Sequence, residues 1–141
     1  MRDEYTWELK NAFIEEINNQ GMYNRVQNNV VALAFEPAKQ LRINHAVKMA
    51  VSFFREEIMV TIMDIARVTN RPGTLALLNQ KNQEIIYGKY CLTDDGKIEY
   101  KSLKWVPSSK KDPTCVFELM INCLKEFAQA HDEIVNSESC L

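Results

Sequence analysis

Apolar and polar residues alternate through the first half of the chain in the way expected of strands. Segment 46–54 has apolar residues at every second position from Val47 to Phe53. A period of two is typical of a strand with one buried face. The apolar run 30–35 and an alternating segment that starts at Ile58 predict two further strands. Pro37 is expected to end the first of them, because proline cannot donate to a strand ladder.

The middle of the chain predicts a helix followed by a hairpin. Three leucines in 75–78 form the apolar side of a short helix, and the polar residues 79–84 are interpreted as the exit from it. Strands are predicted at 85–93 and 97–106. The Asp-Asp-Gly sequence at 94–96 joins them, because Asp and Gly tolerate the positive φ of a tight strand reversal.

Helical spacing marks both ends of the sequence. Apolar residues recur every three or four positions in 4–20, with Asp3 as the expected N-cap and Gly21 as the expected C-terminal glycine. A long helix is predicted at 113–136, with Asp112 as its N-cap. These segments predict an α+β domain over residues 1–141: an antiparallel sheet of about five strands with helices packed on it, in the order α-β-β-β-α-β-β-α.

The last helix carries more apolar surface than one contact with a sheet requires. The stripe expected to cover the sheet contains Val116, Leu119, Met120, Cys123, Phe127, Ala130 and Ile134. A second stripe, roughly 100° around the helix axis, contains Phe117, Ile121, Leu124 and Ala128. Two explanations stay open: another helix of this chain packs on the second stripe, or the stripe is an interface. Because a small domain has limited interior, we expect a homodimer and take these four residues as candidate contacts.

The composition is that of an ordinary globular domain, with 46% hydrophobic residues, 26% charged residues and a formal net charge of −2. That balance gives no general attraction to nucleic acid or to an anionic membrane. The polar start of the sequence argues against a signal peptide, and no apolar run approaches the ~20 residues of a membrane span. We therefore expect a cytoplasmic protein with no membrane partner.

Residues with catalytic or metal-binding chemistry are few and scattered. Cys115 and Cys123 lie eight residues apart on the predicted last helix. That places them ~12 Å apart, too far for a disulfide or a shared metal ion. His45 and His131 have no ligand at metal-like spacing, and neither a G-x-S-x-G motif nor a glycine-rich phosphate loop occurs. We expect no catalytic residue, no cofactor and no metal.

The most basic stretch surrounds the last predicted strand and includes Lys97, Lys101, Lys104, Lys110 and Lys111, with Tyr100 and Trp105 among them. Aromatic residues among lysines can bind single-stranded nucleic acid. The stretch has no arginine, however, and Glu99 and Asp112 dilute its charge. We interpret it as a solvated strand face with two half-buried aromatic rings, and we expect no nucleic-acid partner.

The segment LLNQKNQ (77–83), leading into IIYGKYCLTDDGKIEY (85–100), resembles a pattern of the YbjN-like proteins, also described as bacterial sensory transduction regulators. That pattern is Leu-Leu-Asn, a few residues, Gly-Lys-aromatic and an Asp-Gly hairpin. The order of the other predicted elements also follows that family. One departure is the connection 37–45, which is longer than the short connection usual there.

The resemblance implies a single YbjN-like domain with the fold of type III secretion chaperones. It also implies a non-enzymatic homodimer that binds or regulates an unknown protein or peptide partner. Two alternatives remain. One is a dedicated type III secretion chaperone for an effector protein, and the other, from a different class, is a small-molecule-binding domain.

Overall fold

The computed structural model describes residues 4–36, 46–63, 65–107 and 111–135. Its elements are α1 (Glu4–Asn19), β1 (Tyr23–Gln27), β2 (Val30–Phe35), β3 (Val47–Phe54), β4 (Glu57–Met63), α2 (Arg71–Glu84), β5 (Lys89–Leu92), β6 (Ile98–Trp105) and α3 (Thr114–Val135). The strands form one six-stranded antiparallel sheet in the order β1-β2-β3-β4-β6-β5. The α+β class and the antiparallel sheet are confirmed, with a sixth strand that makes the order α-ββββ-α-ββ-α.

The additional strand is β1, which lies at one edge of the sheet. It pairs with β2 through a turn in which Asn28 has φ 53°. Every residue of β1 except Asn24 is exposed. A strand with both faces in water needs no alternation of apolar and polar residues, so the sequence pattern did not predict it.

Several predicted helix ends are confirmed. Gly21 has φ 71° and follows α1; its N–H bonds to the carbonyl of Asn18 at 3.1 Å, and the N–H of Met22 bonds to the carbonyl of Ile17 at 3.2 Å. At the start of α3, Asp112 accepts a hydrogen bond from the N–H of Thr114 at 2.9 Å. The predicted cap at residue 3, the strand end at 37, the long connection 37–45 and the predicted helix end at 136 lie outside the described residues.

Helix α2 is longer than the sequence pattern predicted. It begins after the N-cap Asn70 and continues to Glu84, so the interpretation of 79–84 as a polar exit was wrong. The helix buries Thr74, Leu78 and Lys81, whereas Leu75 is 42% exposed. The following strand is correspondingly shorter than predicted. The predicted turn at 94–96 is confirmed, with φ 80° at the glycine.

The core lies between the sheet and the helices α1 and α3, on the side that we call the inner face. Phe13 of α1 packs against Phe53 of β3 and Phe117 of α3, with ring centroids 5.7 and 5.0 Å apart. Alternate strand residues point to this face; Val31, Val51, Val60 and Ser102 stand in one buried row. The predicted core stripe of α3 is buried throughout, from Val116 to Ile134.

Candidate protein-interaction site

The four residues predicted as an interface on α3 have different surroundings. Leu124 is buried, Phe117 is half-buried against the ring of Phe13, and Ala128 is also half-buried. Ile121 is 50% exposed. Helix α1 thus covers part of the second stripe, which is one of the two explanations that the sequence left open. The interface itself remains a prediction, centred on Ile121.

A buried carboxylate connects α3 to the segment between α2 and β5. Glu126 accepts hydrogen bonds from the main-chain N–H groups of Ile86 (2.8 Å), Tyr87 (3.0 Å) and Gly88 (2.8 Å). The hydroxyl of Tyr100 donates a fourth at 2.6 Å. Burial alone would raise the pKa of the Glu126 carboxyl, but the hydrogen bonds from Tyr100 and the main chain lower it below its usual value. Burial and the bond to this carboxylate raise the pKa of Tyr100, which therefore stays a donor.

The segment held by this carboxylate presents two apolar side chains to solvent. Ile86 is 86% exposed and Tyr87 is 52% exposed, although their main chain is fixed. Ser102 donates a hydrogen bond to the carbonyl of Tyr87 at 2.6 Å. A Cβ on Gly88 would lie 2.4 Å from a ring carbon of Tyr100, so the close approach requires glycine. The prediction of a strand through these residues was wrong because Glu126 binds the N–H groups that a strand would use.

The residues that carry the family resemblance have architectural roles. The side chain of Asn82 accepts a hydrogen bond from the N–H of Tyr90 at 2.7 Å and donates one to its carbonyl at 2.9 Å, as a neighbouring strand would. The ammonium of Lys89 donates to the carbonyl of Asn82 at 2.9 Å near the end of α2. Helix α2 therefore covers the free edge of β5, and the motif specifies how helix and sheet meet.

The opposite side of the sheet, which we call the outer face, carries exposed apolar side chains. Register places Phe54, Glu57 and Trp105 in one row across β3, β4 and β6, and Met59 beside Leu103 in the next. Phe54, Leu103 and Trp105 are 39%, 57% and 62% exposed. We call Phe54, Met59, Leu103 and Trp105 the apolar cluster.

Small residues form a floor next to this cluster, on β2, β3 and β4: Ala32, Ala34, Ala50, Ser52 and Thr61. Arg25 borders the floor on β1 and Lys101 borders it on β6, in the same row as Ala32, Ala50 and Thr61. The larger side chains at the borders therefore stand above a low centre.

The outer face is also more basic than the chain as a whole, which has a net charge of −2. Its strand residues include the basic side chains of Arg25, Lys48, Lys89 and Lys101, against the acidic side chains of Glu57 and Glu99. Lys101 pairs with Glu99 at 3.8 Å while its own side chain is 44% exposed.

The aromatic residues of the basic stretch do not match the prediction that both are half-buried. Tyr100 is fully buried on the inner face, where it donates to Glu126, whereas Trp105 is 62% exposed on the outer face. The two rings differ because their positions in β6 are five residues apart, and an odd spacing places residues on opposite faces.

Residues with reactive chemistry do not converge in the described part of the chain. No group of three or more His, Cys, Asp or Glu residues there could hold a metal ion. Cys91, Cys115 and Cys123 are free thiols, and burial raises the pKa of Cys123 to about 11, which keeps it protonated at neutral pH. His131 is buried with its ring 4.8 Å from that of Phe127. His45 and Cys140 lie outside the described residues.

Two concave regions are small. One, of about 120 Å³, lies between Val47, Ile65 and Phe127, and the other, of about 260 Å³, lies at the β1–β2 turn beside Arg25 and Asn28. Both fall below the ~300–1,000 Å³ of most small-molecule sites. Among the described residues, no helix combines the length and apolar character needed to cross a membrane.

No family model matches the sequence, and no curated protein matches it. Solved structures do share its fold. A chain of the ExsC–ExsE complex matches with a TM-score of 0.60 over 95% of this chain and 98% of its own, at 12% identity. YbjN from E. coli, described as a proposed transcription regulator, matches with a TM-score of 0.54 over 93% and 94%, at 15% identity.

A chain of the ExoU–SpcU heterodimer, from the type III secretion system of Pseudomonas aeruginosa, matches with a TM-score of 0.51 over 84% of this chain and 91% of its own, at 12% identity. The likeness to YbjN and to type III secretion chaperones that the sequence motif suggested is therefore confirmed as a likeness of fold. The chain has a type III secretion chaperone-like α+β fold.

Proposed function

We propose that this chain is a non-enzymatic, cytoplasmic protein-binding module that holds a polypeptide partner on its outer face. The observation that carries the proposal is the apolar cluster, in which Phe54 on β3 and Leu103 and Trp105 on β6, on either side of β4, are 39%, 57% and 62% exposed. Contiguous apolar side chains of this kind usually mark a surface that another molecule covers.

The similar structures support a protein as the partner. Two of them are complexes, of ExsC with ExsE and of ExoU with SpcU. The described part of the chain offers a partner a broad sheet face, because the free edge of β5 is already occupied by Asn82 of α2. A partner that added a strand would be restricted to the β1 edge.

A dedicated type III secretion chaperone is the second candidate. It is favoured by the heterodimer from a type III secretion system among the similar structures. In that case the partner would be a single effector protein, whereas a regulatory module would bind a protein that is not secreted.

The proposal includes a homodimer. The surface around Ile121, flanked by Phe117, Leu124 and Ala128, is the proposed contact. Helix α3 packs on the inner face, so a dimer formed there would leave the outer face open to the partner.

Affinity capture from the native cell, followed by mass spectrometry, tests the proposal. Leu103→Asp should remove specific partners, because it places a charge in the apolar cluster. Lys104→Glu is the matched control, since Lys104 is exposed on the same strand but points to the opposite side. Recovery of the same proteins with wild type and Leu103→Asp would refute a binding role for the outer face.

A further inference from the structure

We infer that the segment held on the outer face is an amphipathic α-helix of a partner protein, with acidic side chains on both flanks of its apolar stripe. The inference rests on the proposed function and adds the conformation and charge of the bound segment. It follows from the main-chain bonding of the sheet, the shape of the floor and the charges at its borders.

The main-chain bonding of the sheet requires a segment that satisfies its own hydrogen bonds. The N–H and C=O groups of the strands lie in the plane of the sheet and are used in its antiparallel ladders. An extended segment laid over the face would find no main-chain partner there. Each main-chain group that it buried unpaired would cost about 1–3 kcal/mol. A helix has no such cost, because its main chain is bonded internally.

The shape of the floor also fits an α-helix. It spans three strands, β2, β3 and β4, so it is about 10 Å wide. A helix with its side chains is also about 10 Å across. Small residues such as Ala32 and Ala50 allow close approach. Leu103, on the strand β6 directly beside the floor, can contact the apolar stripe from the side.

The basic residues at the borders of the floor indicate the charge of the docked helix. The row that crosses its centre begins with Arg25, continues through Ala32, Ala50 and Thr61, and reaches Lys101. A basic side chain thus stands on each side of the position where the helix would lie. Acidic residues on both flanks of a docked helix would meet these two side chains, whereas basic residues would be repelled.

The same charges argue against a second copy of this chain as the occupant. A two-fold dimer through the outer face would set one basic surface against an identical one. Nucleic acid also fits poorly, because Glu57 lies between Phe54 and Trp105 in register. Bases stacked on those rings would bring phosphates close to a carboxylate.

Binding of designed peptides tests the inference. The first probe is a fluorescein-labelled amphipathic peptide of about 18 residues, ~27 Å long as a helix, with a leucine stripe flanked by glutamates. The second has lysines in place of the glutamates, and the third is the first with two central prolines that prevent a helix. Fluorescence anisotropy against the full chain should show the acidic helical peptide binding at least ~tenfold tighter than either of the others.

Variants of the chain connect that preference to the outer face. Arg25→Glu with Lys101→Glu should reduce binding of the acidic peptide by about tenfold or more. Lys104→Glu with Lys125→Glu changes the net charge equally, at exposed positions away from the outer face, and should leave binding unchanged. Denaturation midpoints equal to wild type confirm that the variants are folded.

Several results would overturn the inference. In one such result, the proline peptide binds as tightly as the acidic helical peptide and loses that binding in Leu103→Asp. That result would keep the proposed function but exclude a helix. Absence of binding by the acidic peptide, or binding unaffected by Arg25→Glu with Lys101→Glu, would exclude the acidic helix. A dimer of the chain alone that Leu103→Asp converts to monomer would show a second copy on this face. Tighter binding of a labelled single-stranded oligonucleotide, weakened by the same double variant, would identify nucleic acid as the occupant.

Discussion

The two faces of the sheet use alternate residues of the same strands, yet they differ in how their side chains are surrounded. On the inner face, Tyr100 and Ser102 of β6 are buried and hydrogen-bonded in the network around Glu126. On the outer face, Leu103 and Trp105 of the same strand are 57% and 62% exposed. Neighbouring residues of one strand therefore belong either to the buried hydrogen-bonded interior or to the exposed apolar surface.

If the outer face binds a partner as proposed, this difference separates stability from binding. Substitutions on the inner face remove packing or leave buried polar groups without partners, so they should lower the free energy of unfolding. Substitutions of Leu103 or Trp105 on the outer face change side chains that water already contacts, so they should mainly change affinity for a partner. The following variants test that separation, in decreasing order of the expected effect on stability.

Apart from the matched inner-face control given below, Glu126→Ala should have the largest effect, a loss of about 3 kcal/mol or more in the free energy of unfolding. The reason is that three main-chain N–H groups and the Tyr100 hydroxyl lose their acceptor in a buried site. Urea denaturation followed by circular dichroism measures it. Glu118→Ala, at an exposed position of the same helix, is the control and should change little. Equal midpoints for the two variants would mean that the inner network does not stabilise the fold.

The pH dependence of stability should report the same carboxylate. The pKa of Glu126 is lowered in the folded protein from the ordinary value of 4.5. Its contribution is therefore present above pH 4.5 and is lost as the pH falls through the folded pKa. The difference in unfolding free energy between wild type and Glu126→Gln should shrink on acidification below pH 4.5. A difference that stays constant from pH 6 to pH 3 would contradict the assignment.

Gly96→Val should cost roughly 1–3 kcal/mol, through the main chain and independently of either face. Gly96 has φ 80°, which a β-branched residue resists, while no atom lies within 4 Å of where a Cβ would be. The effect is therefore conformational and not steric. An unchanged denaturation midpoint would show that the turn tolerates a side chain at this φ.

Leu103→Asp should change the free energy of unfolding by no more than about 0.5 kcal/mol, because the side chain is already 57% exposed. Ile98→Asp on the same strand is the matched inner-face variant, where the side chain is fully buried, and it should unfold the protein. If both variants unfold the chain, the outer face is part of the core and the separation of the two faces fails.

Ile121→Glu should leave the stability nearly unchanged, since the residue is 50% exposed, but it should alter the oligomeric state. Light scattering at micromolar concentration should give a dimer for wild type and a mass near 16.4 kDa for the variant. A wild-type mass near 16.4 kDa would refute the homodimer. A dimer that persists in Ile121→Glu would place the contact elsewhere.

The elements with one buried face were predictable from the sequence. The alternation in β3 and the core stripe of α3 both report a boundary between apolar interior and water, and both are confirmed. The prediction failed where a segment has no buried face, or where the residues that it buries are polar. Strand β1 is exposed on both faces, and α2 buries Thr74 and Lys81, so neither shows the expected apolar period.

The proposed interaction site was less predictable than the fold. The outer face forms only when register aligns β3, β4 and β6, and the separation of these strands along the chain hides their contact. Glu126 did carry a signal that the sequence interpretation missed: it lies three residues after Cys123 and four before Ala130, within the core stripe. A lone carboxylate at a buried helical position indicates a set of donors opposite it.

The sealing of β5 by Asn82 limits how copies of this protein can polymerise through their sheets. Because the amide of Asn82 bonds both main-chain groups of Tyr90, a further strand beside β5 would have to break these bonds, so the β1 edge of the described sheet is the easier place for strand addition. Two copies joined through β1 would form a continuous sheet with a closed β5 edge at each end. Strand addition beyond two chains would then be disfavoured, which would limit edge-to-edge aggregation of the protein.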